Sequence, residues 1–249
     1  MDADTSTTTS TSSGASEEPV LQNQEVVTIS EEVDIFAWTN NLIQYVDDLK
    51  IDLYLFNKNF TVYRAKMGSD VNAQLRALFI DQIMEYVLDG SETGLMVRGF
   101  EEAESEKGVL QTTRVKNVEK LVYTLNWIKA DQHNIETFID SEHDIKRIKG
   151  VVAHCYHKDM KTPFYVVKNL PGSQVMSGPT AWALKDGVFK AFDDMAAIKI
   201  PGDNQLLAVG EELFVFNQSK LKSLFGYDAK AAVIAQKKVE EIENKFRLS

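Results

Sequence analysis

Apolar positions along the chain change their period several times, and each change marks a predicted element. From Val33 to Leu49 the residues Val33, Phe36, Ala37, Ile43 and Val46 fit a helix, with Ser30 and the two glutamates after it as its start. The runs IDLYLF (51–56) and FTVYRA (60–65), rich in β-branched and aromatic residues, flank a polar NKN turn and predict a β-hairpin. Ser69 is placed to open a second helix, whose apolar face of Val71, Leu75, Leu78, Phe79, Tyr86 and Val87 runs to a stop at Gly90. Residues 91–116 combine a strand-like LMVRGF with the solvated acidic stretch EEAESEKG and leave the element open. Asn117 then suits the cap of a helix carrying Val118, Leu121, Val122, Leu125 and Ile128 on one side.

After Gly150 the rhythm shortens. GVVAHCYH, FYVVKN, TAWALKDGVFKAF, AAIKI and LLAVGEELFVF are β-type segments separated by HKDMKTP, KDG, PGDN and GEE turns, the pattern of an antiparallel meander. Helices return at the end, with Ser219 and Asp228 as N-caps and Gly226 as the stop between them. Ala235, Val239, Ile242 and Phe246 follow at spacings of 4, 3 and 4, a seam that packs on the body or meets a partner or a second copy. The expected fold class is α+β: antiparallel meander regions packed with helices. Its parts are an N-terminal α/β region over 29–130 and a C-terminal sheet with terminal helices over 131–249, which together can form one continuous domain.

Composition adds limits. At 249 residues and 44% hydrophobic content the chain is in the range of globular proteins, and no apolar run approaches the roughly 20 residues of a membrane helix. The first 28 residues are acidic, rich in Ser and Thr and poor in apolar side chains; they predict a disordered tail without the features of a signal peptide. A lone cysteine, Cys155, excludes an internal disulfide framework and the cysteine-rich zinc modules, and makes a reducing cytoplasm the expected setting. The net charge of -10 is uneven: residues 1–110 carry 20 acidic against 7 basic side chains, net -13, whereas residues 111–249 are net +3. A polyanion site is therefore expected in the second half.

The candidate chemistry is sparse. Glu211 and Glu212 tempt a metal reading, and Asp203 with Lys199 or Lys220 is the best set that a carboxylate-magnesium nuclease could draw on; Asp193 and Asp194 read as an ordinary strand end. His154 and His157 would project to opposite faces of one strand, so the pair cannot hold an ion together, and a nucleophilic Cys155 would need a lowered thiol pKa. No phosphate-loop or dinucleotide fingerprint is present, and no cofactor or metal set is expected. What remains is basic charge. Lys146, Arg147 and Lys149 precede one strand, Lys158 and Lys161 lie in the turn after it, and Lys220 and Lys222 open a helix. A hairpin is expected to bring the first two groups together.

Three segments together, IDLYLFNKNFTVYRA, VVAHCYHKDMKTPFYVVKNL and GVFKAFDDMAAIKIPGDNQLLAVGEELFVFNQSKLKSLFGYD, resemble the KwaB family, the second component of the bacterial Kiwa anti-phage defence system. The likeness covers roughly residues 45–245 and consists of fold patterns rather than catalytic motifs. It implies a cytoplasmic effector that acts beside a small membrane-embedded partner, binds double-stranded phage DNA, and blocks phage replication or late gene expression. Members usually continue past the final helix, and few carry so long an acidic tail. The expectation is a non-enzymatic DNA-binding protein. An interaction module docking through its last helix, as a homodimer or on another protein, and a metal-dependent nuclease are the alternatives.

Overall fold

The computed structural model describes residues 32–68, 71–100, 107–130, 146–177, 182–185, 188–191 and 196–247. The Ser/Thr-rich tail, Ser69, the acidic residues 101–106, Asp193 and Asp194 lie outside the described residues. Eight strands form one sheet in the order β2 (Val62–Arg64), β1 (Lys50–Asn57), β5 (Ile148–Tyr156), β6 (Phe164–Asn169), β11 (Leu206–Val209), β12 (Glu212–Val215), β4 (Val109–Arg114) and β3 (Met96–Gly99). All neighbours are antiparallel except β3 and β4. The class is α+β, as the residue pattern predicts.

Both sheet faces are covered, which is why the central strands read as continuous apolar runs rather than as alternating ones. Leu53, Leu55, Val151, Ala153, Cys155, Val166 and Leu207 point to the face packed by α1 (Ile35–Leu42) and by the helix running through α2 (Asn72–Arg76), a π turn (Ala77–Asp81) and α3 (Gln82–Thr93). Their neighbours Tyr54, Phe56, Val152, Tyr165, Val167 and Leu206 point to the other face. That face is covered by Val118, Leu121, Leu125 and Ile128 around α4 (Glu119–Ala130) and by Leu221, Leu224 and Phe225 of α5 (Gln218–Phe225). The chain closes with α6 (Ala229–Arg247).

Several expectations require correction. The meander is interrupted, because β6 pairs directly with β11; the intervening β7 (Val175–Ser177) and β10 (Ala196–Ile198), and β8 (Trp182–Lys185) and β9 (Val188–Ala191), form two separate ladders. Gly90 does not end its helix. A Cβ there would lie 2.6 Å from the Leu95 side chain, so this glycine serves close packing, and the stop falls at Gly94, whose φ of +82° is the left-handed cap that glycine favours. The first helix is shorter than its apolar pattern and starts at Asp34, whose carboxylate accepts from the Phe36 and Ala37 amides. Asn217, not Ser219, caps α5 by accepting from the Lys220 amide.

One buried charge fastens the first layer. Lys168 has no exposed surface; its Nζ donates to the carbonyls of Leu78 (2.9 Å), Pro201 (3.0 Å) and Gly202 (3.4 Å) and lies over the Phe79 ring. Leu78 is in the π turn, so the helix irregularity and the loop before β11 meet at this ammonium. Asn204 adds a bond from its side-chain amide to the Gln82 carbonyl.

Candidate nucleic-acid interface

The β1–β2 turn is organised by Asn57, whose side-chain oxygen accepts from the Asn59 and Thr61 amides. Phe60 follows with a φ of +62°, the one non-glycine residue in the left-handed region among the described residues. Such a conformation costs about 1–3 kcal/mol and persists only where surrounding contacts hold it. Here the contacts are aromatic: the Phe60 ring stacks 6.0 Å from both Phe56 and Phe225. Gly150, opposite Phe56 on β5, makes room, since a Cβ there would stand 2.4 Å from the Phe56 ring.

Lysines gather around this aromatic group. Lys120 Nζ from α4 and Lys149 Nζ from β5 lie 5.5 and 5.3 Å from the Phe60 ring centre. Lys149 also donates to the Leu224 carbonyl at the C-terminal end of α5, at 2.6 Å. Its pKa is lowered first by burial and then by the neighbouring charges of Lys120 and Lys58. Among the described residues no carboxylate pairs with any of these three lysines. Burial and the two neighbouring charges together disfavour the charged form of Lys149. Lys146 and Arg147 are exposed on the same end, because Ile148 of β5 pairs with Asn57 beside Lys58.

The seven candidate basic residues are therefore divided, and the two groups that the hairpin was expected to bring together are apart. Lys158 and Lys161 sit in the β5–β6 turn, the opposite end of β5 from Lys149, so the hairpin separates the two groups by roughly 30 Å along the strand. Lys222 is ion-paired with Asp228 at 2.7 Å, and the backbone amide of Lys220 is taken by the Asn217 cap. In their place stand Lys58 and Lys120, which had no sequence signal beyond a lysine in a polar turn and one near a helix start. Only the pairing of β1 with β5 and the docking of α4 bring them to Lys149.

The acids do not assemble a metal site. Asp203 and Glu211 lie at opposite ends of β11, and among the described residues no three His, Cys, Asp or Glu side chains converge. Glu212 is not a turn acid: it is buried, with Arg114 Nη1 at 2.6 Å and the Thr112 hydroxyl donating at 3.0 Å. Asp203 accepts from the Gln205 side-chain amide, which tightens the loop near Lys168. His154 is buried on the α4 side, stacked on Tyr165 at 4.8 Å, with neither ring nitrogen hydrogen-bonded; burial lowers its pKa against the raising effect of Asp52. His157 packs instead against Tyr45, the rings tilted with their centres 5.0 Å apart. Cys155 is fully buried and its thiol pKa is pushed well up by burial, the reverse of what a nucleophile requires.

On α6, Val239 and Ile242 are each 53% exposed, and Ala235 and Phe246 are exposed as well. No helix among the described residues is long and apolar enough to cross a membrane. Comparison with protein-family models, with curated proteins and with solved structures finds no match.

Proposed function

We propose that this protein binds DNA through the cluster of Lys58, Lys120 and Lys149 around Phe60, with Lys146 and Arg147 extending it. The observation that carries this is the placement of Lys120 and Lys149 over the Phe60 ring, with Lys58 near enough to act on Lys149, in a group of three lysines that has no carboxylate partner among the described residues, in a chain whose overall charge is -10. Such a cluster is unfavourable in the free protein and complementary to a phosphate backbone. The resemblance of the sequence to the KwaB family supplies the biological setting: an effector without catalytic activity that acts on double-stranded phage DNA, blocks its replication or late expression, and is recruited from the cytoplasm to a small membrane protein. The lysine cluster would contact backbone phosphates and supply affinity without sequence preference.

Fluorescence anisotropy of a labelled duplex across a salt series tests this. Binding should weaken linearly in log-log form with a slope near 0.9 per phosphate contacted, and Lys58→Ala with Lys120→Ala should reduce that slope by about 2. Unchanged affinity in the double variant refutes the assignment of the site. A second reading, self-association or docking through α6, is favoured by the exposure of Val239 and Ile242. Sedimentation of the wild type against a Val239→Glu, Ile242→Glu variant decides it, since a mass unaffected by both charges leaves the seam without a role.

A further inference from the structure

The lysine cluster continues into a different kind of surface. On α4, Tyr123 and Trp127 are 51% and 47% exposed, and their rings meet edge to face at 6.3 Å. They lie three and seven residues after Lys120, so all three occupy one side of the helix, which is its outer side because Leu121, Leu125 and Ile128 face the sheet. Two large exposed aromatics one helical turn apart do nothing for the core. Duplex DNA has no use for them either, since its bases are stacked inside and only phosphates and groove edges are presented.

Unpaired bases fit both features. Single-stranded nucleic acid is held by cationic side chains that follow its backbone and by aromatic rings on which successive bases stack, and every base has a face to stack. Tyr123 and Trp127 are about 6 Å apart along the helix axis, a spacing that gives each its own base. The lysines around Phe60 would then hold phosphates about one turn from Tyr123 and two from Trp127, at the N-terminal end of α4. We infer that this face of α4 binds single-stranded nucleic acid, with bases stacked on Tyr123 and Trp127 and phosphates at Lys58, Lys120 and Lys149. This rests on the proposed polyanion role of the lysine cluster and makes single strands the better ligand of the same site.

The experiment compares a labelled oligo(dT) of about 20 nucleotides with a duplex of equal length, on the full chain, by anisotropy and by quenching of intrinsic tryptophan fluorescence. The single strand should bind more tightly. Tyr123→Ala and Trp127→Ala should each weaken it about 5- to 150-fold while leaving duplex affinity within about twofold. Trp127→Phe should retain most of the affinity and lose the quenching, because Trp38 and Trp182 lie elsewhere in the sequence. Both aromatics are exposed, so the variants should keep the wild-type unfolding midpoint. Single-strand binding unaffected by either alanine overturns the stacking role while leaving the lysine cluster standing. Absence of binding to both probes at low salt refutes the polyanion reading together with this one.

Discussion

Lys168 is a buried cation whose charge the fold holds among backbone carbonyls. Replacing it with methionine keeps most of the volume and the contact with Phe79, and removes the ammonium that bridges Leu78, Pro201 and Gly202. Two large effects oppose each other. Each buried carbonyl left without its donor costs about 1–3 kcal/mol, whereas the variant is spared the several kcal/mol cost of burying a cation. The offset at neutral pH is thus a small difference, and the dependence on pH is the sharper measure. Burial lowers the Lys168 pKa from 10.5 to about 8, against the smaller opposing effect of Asp203. Between those values the unfolded chain holds a proton that the folded chain has shed, so stability rises with pH across the window. At about 1.4 kcal/mol per unit, the wild type should gain about 1.5 kcal/mol relative to Lys168→Met between about pH 8 and about pH 9.5. Tyr165, pushed up to about 12, and Cys155 act in the opposite sense, but both are present in the variant and cancel in the comparison. Urea unfolding of both proteins over this range is the assay. A constant difference between them would show that Lys168 keeps its proton throughout, with its carbonyl ligands outweighing desolvation.

Three further outcomes follow from the packing. Glu212→Ala should cost about 1–3 kcal/mol, because the Arg114 guanidinium and the Thr112 hydroxyl lose a buried partner, whereas Glu211→Ala on the exposed turn should stay within about 0.5 kcal/mol; equal effects by urea unfolding would remove the distinction drawn between them. His154 is buried neutral, so its folded pKa lies below its unfolded value and stability should fall as pH drops from about 7 to about 5, a loss that His154→Phe should largely abolish. Parallel acid unfolding curves for the two proteins would contradict this. Gly150→Ala should lower stability by about 1–3 kcal/mol through overlap with Phe56, and an unchanged thermal midpoint would mean that the aromatic group shifts freely.

Much of the architecture was legible in the residues. The hairpin of β1 and β2, the face of α4 and the pairing of β5 with β6 follow from local periodicity, since each is satisfied by neighbours in sequence. The helix stop moved from Gly90 to Gly94 because one glycine makes room for Leu95 and the other adopts a left-handed cap, and residue type alone cannot separate these uses. Of the candidate basic residues, Lys149 meets Lys120 at Phe60 only through contacts between distant parts of the chain, whereas Lys158 and Lys161 lie at the other end of β5 because a strand puts its two ends far apart.

What the sequence determined by itself is therefore the α+β class, the uneven charge and the elements with a clear period, because these rest on periods and caps that operate over a few residues, whereas β3 and β4 lie in a stretch whose local pattern leaves the element open. The tertiary structure alone decided which strands are neighbours, which glutamate is buried and which lysines converge on Phe60. Those outcomes depend on how two covered sheet faces divide the apolar side chains between them, and on the crossing that sets β5 between β1 and β6. No local pattern encodes either, since each is settled only when residues far apart in the chain compete for the same buried surface.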